Sequence, residues 1–169
     1  MRNVDHAESD DADDIPGDGR TETLVQRSDR NWADILQELR VTQTGTQIIT
    51  GFLLALAFQP RFTTLDTFSA VVYLVLVCLA AAATALNLTP VTLHRWLFRR
   101  HVKPELVVIG NVVLRVTLAT VGLLVVGVVL FIFDVVVSRE AGLIAGGITV
   151  AVVVALWIVL PLAARRMRE

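Results

Sequence analysis

Ten residues, His94 to Lys103 (HRWLFRRHVK), carry Arg95, Arg99, Arg100 and Lys103 between two apolar runs, each long enough to cross a bilayer. A dense basic loop of this kind favours the cytoplasmic side during insertion, and it fixes the direction of every segment around it. The chain is 54 % hydrophobic, against about 45–50 % for a soluble domain. More telling is the segregation. Apolar residues form long blocks, and charges collect at their ends, which points to a membrane bundle rather than a large soluble core.

The blocks predict an all-α membrane protein, an antiparallel four-helix transmembrane bundle preceded by a short amphipathic interfacial helix. Residues 1–27 read as a disordered acidic tail, because the first 22 hold eight acids, two arginines and few large apolar groups. No apolar region follows the start as a signal peptide requires. From Arg30 to Val41, Trp32, Ile35, Leu36 and Leu39 share one helical face, which suggests a helix in the headgroup layer anchored by the Trp.

The spans are expected near 41–59, 68–88, 112–133 and 141–164 within a membrane domain of 28–166, leaving 167–169 as a tail. Pro60 should end the first span. Thr89 and Pro90 read as a helix break and a fresh start, with Thr as N-cap and Pro at the first helical position. Asp134 to Glu140 should form a short outer turn. In the fourth span Gly142 and Gly146 stand in a GxxxG arrangement, which suits close helix packing. Counting basic residues near span ends gives Arg27, Arg30, Arg40, Arg95, Arg99, Arg100, Lys103, Arg165, Arg166 and Arg168 on one side, and Arg61 and Arg139 on the other. Ten against two puts both termini and the basic loop in the cytoplasm of a cell with an inner membrane.

No metal site, phosphate loop or nucleophile–base pattern is legible, so no enzyme activity, cofactor or nucleic-acid partner is expected. His94 sits with Arg95, Arg99, Arg100 and Lys103 as an anionic headgroup contact. Cys78 lies in an apolar run and reads as a small hydrophobe. Orienting the spans gathers Glu38, Arg40, Gln43, Gln47, Asn87, Asn111 and Arg115 toward the inner side as a polar belt. Two uses are open: interhelical hydrogen bonding with snorkelling, or a polar pocket facing inward. Arg115 is expected one turn inside the inner boundary, where it can snorkel, and Gln47 is expected to touch the third span beside it. The partners expected are the bilayer with anionic headgroups and a homo-oligomer or membrane partner protein. The primary functional reading is a structural or regulatory membrane subunit. The alternative is a small transport or channel component whose path forms between protomers.

The run ELRVTQTGTQIITGFLLALAFQPRF, followed by TPVTLHRWLFRRHVKPELV, resembles a family of small, mainly actinobacterial, four-span integral membrane proteins known only as a domain of unknown function. The resemblance rests on Glu38, Leu39, Arg40, Gln43, Thr44, Gly45 and Gln47, then Pro90, His94 and Arg95, and runs from about Trp32 to Arg166. It implies a four-span inner membrane protein and supplies no activity.

Overall fold

A computed structural model describes residues 24–97 and 103–166. The acidic tail up to residue 23, Arg99 and Arg100 of the basic loop, and residues 167–169 lie outside the described residues. Among the described residues there is helix and turn, and no strand. The helices are α1 (Leu24–Leu56), α2 (Thr67–Leu97), α3 (Lys103–Val136) and α4 (Arg139–Val154). After α4 a π-helical stretch (Ala155–Val159) leads directly into α5 (Leu160–Arg166). A 3₁₀ turn (Pro60–Thr64) links α1 to α2, with Pro60 at its start, where a missing amide hydrogen costs nothing.

Each inward face follows the same rhythm. On α2 the buried positions are Ser69, Tyr73, Leu76, Ala80, Ala83, Asn87 and Pro90, alternately four and three residues apart. On α3 Gly110, Leu114, Thr117, Leu124 and Phe131 fall on a similar seam. On α1 it is Ile35, Leu39, Thr46 and Leu53. An apolar repeat near 3.5 residues keeps neighbouring helices in register along their length. One core cluster joins Leu53, Tyr73, Leu76, Ala80, Leu124 and Phe131, and a second joins Ile35, Leu39 and Leu114. Thus α1 runs parallel to α3 and antiparallel to α2.

Three helical stretches are long and apolar enough to cross a membrane: Thr67–Leu93, Val107–Val136 and Arg139–Ala164. α1 is not among them, because Gln43, Gln47 and its threonines dilute its apolar half. Several expectations are corrected. The amphipathic segment is no separate helix; it is the first half of α1, unbroken to Leu56. The Trp32 ring lies against α3, where a Cβ added at Gly110 would meet it at 2.8 Å. α2 does not break at Pro90 but continues to Leu97. The proline ring is fully buried, and the neighbouring Thr89 hydroxyl donates to the Ala85 carbonyl at 3.0 Å. Burial of the ring makes the proline tolerable there, although it frees the Leu86 carbonyl. Finally, α1, α2 and α3 all touch one another, whereas α4 leans chiefly on α3. The four long helices thus form a group of three with α4 set against one of them.

Candidate functional site

At the end where α1 turns into α2 and α3 into α4, four side chains from three segments meet. Asp66 precedes α2 and caps it: the Ser69 amide donates to Asp66 Oδ1 at 2.9 Å. The Ser69 Oγ lies 2.5 Å from Asp66 Oδ1 and 2.6 Å from Asp134 Oδ2 on α3. Arg139, the first residue of α4, donates from Nε to Asp134 Oδ1 and from Nη2 to Asp66 Oδ2, both at 2.6 Å. Its guanidinium also stacks 3.8 Å from the centre of the Phe68 ring. Arg61 closes the group by donating to the Val135 carbonyl at 2.9 Å, one of the acceptors left open where α3 ends. Ser138 caps α4, accepting from the Ala141 amide at 3.2 Å.

These groups line a cleft of about 240 Å³ together with Thr64, Leu65 and Val135. The Asp134 side chain is 3 % exposed, whereas Asp66 is 58 % exposed. The Ser69 hydroxyl, then the Ser69 amide, then Arg139 hold the Asp66 carboxyl down at about 2. Ser69 itself is buried and wedged between two acids, so its hydroxyl is a hub and not a presented nucleophile. Among the described residues no group of three or more His, Cys, Asp or Glu could hold a metal ion. The chemistry this cluster offers is cohesion: it ties the start of α2, the end of α3 and the start of α4 into one knot. Sequence reasoning placed these residues in turns and missed the knot. The signal was present in two acids at apolar-run ends and one arginine just past the second, which antiparallel helices bring together.

The residues expected to form an inner belt are dispersed. Asn87 is buried, and its Oδ1 lies 3.0 Å from Thr42 Oγ1, which also reaches the Leu39 carbonyl at 2.9 Å. A threonine hydroxyl has one hydrogen, and Asn87 Nδ2 is otherwise without a partner. Both groups are served when the Asn87 amide is turned so that Nδ2 donates to Thr42 Oγ1 and Thr42 donates to Leu39. Gln43 is half-buried, whereas Glu38, Arg40, Gln47, Asn111 and Arg115 are exposed. Thr46, not Gln47, occupies the buried position, at 1 % exposure. Depths differ too. Gln47 lies nine residues before the end of α1, or ~13 Å, and Arg115 lies 21 before the end of α3, or ~31 Å. Of the basic loop, Arg95 is exposed at the end of α2, and His94 and Lys103 lie on helix ends.

Gly142 and Gly146 do pack a helix. A Cβ at Gly142 would meet the Leu130 carbonyl oxygen at 2.8 Å and the Asp134 amide nitrogen at 2.9 Å. That close approach brings Arg139 and Asp134 together.

A family model described as "Family of unknown function (DUF6328)" matches residues 21–161, and the chain belongs to that family. No curated protein and no solved structure matches the chain.

Proposed function

We propose that this member of the family is a four-span protein of the bacterial inner membrane, with both termini cytoplasmic, which serves as a structural or regulatory membrane subunit without catalysis. The observation that carries the reading is the path of α1. Its contacts run from Thr42 beside Asn87 to Leu53 beside Tyr73, whose hydroxyl donates to the Leu53 carbonyl at 3.0 Å. α1 therefore follows α2 through most of the depth of an apolar span, and a helix so attached crosses with it. The interior polar groups named here are spent on joining helices, and the cleft is confined to the Asp66–Asp134–Arg139 end. This supports a load-bearing role over a conduit within one copy.

The test uses Thr63→Cys, in the exposed turn, in a Cys78→Ser background. A membrane-impermeant maleimide applied to intact cells should label Thr63→Cys, while a tag on the amino terminus stays protected. An unlabelled Thr63→Cys with an accessible tag would reverse the topology. Accessibility of both from one side would remove α1 as a span. Purified protein in liposomes should give no ion or solute flux. A flux abolished by Arg115→Leu would favour the transport alternative.

A further inference from the structure

We infer that the face of α3 around Arg115 is a binding site for an anionic phospholipid, whose phosphate the Arg115 guanidinium holds. The inference rests on α3 and α4 crossing the bilayer, as proposed above, and not on the direction in which they cross. Of the charges inside the apolar stretches Thr67–Leu93 and Val107–Val136, Asp134 is tied to Arg139. Arg115 is exposed and has no ion pair or side-chain hydrogen bond with any described residue. Glu38, next to the Leu39 that packs on Leu114, does not pair with it. A guanidinium cannot shed its charge, and hydrocarbon gives it no counter-ion.

Its depth selects the counter-ion. Arg115 lies 21 residues, or ~31 Å, from the α3 end that carries the knot, and a hydrocarbon layer is ~30 Å thick. The side chain therefore reaches the phosphates of the opposite leaflet.

Its surroundings form a notch. Val108, Val112, Arg115, Ala119 and Gly122 follow one another by four and three residues and share one face of α3. At Gly122 that face is covered, since an added Cβ would meet the Trp157 ring at 3.0 Å. Beyond it the cover stops. Val108, Val112, Arg115 and Ala119 are all exposed, and so are Leu160, Leu162 and Arg166 on α5. Trp157 thus roofs a notch with apolar walls that opens toward the headgroups. Counted from the contact of Trp157 with Gly122, Arg115 lies seven residues and Arg166 nine residues toward the same end, ~10 and ~13 Å. Two cations therefore stand at nearly one depth. Asn111, exposed and one turn from Arg115, adds an amide donor.

This combination fits a lipid better than a free anion. Acyl chains cover the exposed Val116 and Leu160 while the phosphate meets the guanidinium, whereas inorganic phosphate would leave the walls bare. A zwitterionic headgroup brings its own cation beside the phosphate, so an anionic headgroup is preferred.

The test uses Trp157 as reporter, in the full chain carrying Trp32→Phe and Trp96→Phe and reconstituted in vesicles. Brominated phosphatidylglycerol and brominated phosphatidylcholine compete to quench the indole. Phosphatidylglycerol should act with about fivefold higher apparent affinity, the scale of one arginine against an anionic headgroup. Arg115→Gln should bring the two lipids level, and Arg115→Lys should keep part of the preference. Arg95→Gln, which removes the same charge from the end of α2, should leave it intact. Inorganic phosphate at millimolar concentration should not displace the lipid. In native mass spectrometry, protein with all three tryptophans should retain a phosphatidylglycerol adduct that Arg115→Gln loses. Equal quenching by both lipids without the Arg115 substitution, an equal fall in Arg95→Gln, or displacement by phosphate would overturn the site and leave the spans standing. No quenching by either lipid would put Trp157 outside the bilayer and remove the premise together with the site.

Discussion

Ser69 shows how much one small side chain can organise. It is buried at the first turn of α2, 2.5 Å from one carboxylate and 2.6 Å from another. Ser69→Ala removes the one hydroxyl proton that the two acids can share in turn, and should cost ~1.5–3 kcal/mol, the range for a hydrogen bond to a charged group. A lowered melting temperature in detergent would report it, and an unchanged one would mean that Arg139 alone holds the acids. Asp66 adds a pH dependence. Its folded-state value of about 2 lies below the ordinary 3.8, so its contribution is present above about pH 4 and is lost as pH falls toward 2. The melting temperature should drop across that window, and Asp66→Asn should flatten the drop. None of this was legible from composition. Asp66, Asp134 and Arg139 each stand where any polar turn residue might, and only the pairing of helix ends gives them a common purpose. For Gln47 polarity suggested an inward place, but it follows the buried Thr46 by one residue, about 100° round the helix, and is exposed.

At the scale of the element, the periodic segments were the readable part. The α2, α3 and α4 spans match apolar runs, and Pro60 marks the turn after α1. Boundaries were harder where a local breaker signal competes with packing. Pro90 looked like a start because its ring removes an amide hydrogen, yet it is buried and the helix continues. The GxxxG pair lies where α4 meets α3, and it yields a paired prediction. Gly142→Ala would force a Cβ against backbone atoms of α3 and should destabilise by ~1–3 kcal/mol. Gly147→Ala meets nothing within 4 Å and should be neutral or up to ~1 kcal/mol stabilising, from the better helix propensity of alanine. Thermal unfolding of the two variants side by side decides this. Further along, the π-helical stretch places Trp157 against Gly122, so the ring reaches α3 from a helix with few other neighbours. An insertion of one residue in the ladder leaves no mark in sequence periodicity.

For the whole molecule, the basic-residue asymmetry makes a single prediction, the labelling of Thr63→Cys from outside, and it tests the direction of all the helices at once. The same asymmetry has a counterpart in length. α1 and α3 end, and α2 and α4 begin, at one end of the molecule, near Leu56, Val136, Thr67 and Arg139. Counted from there, a ~30 Å hydrocarbon layer takes ~20 residues. α1, α2 and α3 are 33, 31 and 34 residues long, so each is about three to four turns longer than that, with the surplus at the opposite end. Where that surplus begins, Ile35, Leu39 and Leu114 form the second core cluster. The molecule is thus taller than a hydrocarbon layer is thick, and Arg95 stands at the far end of that surplus.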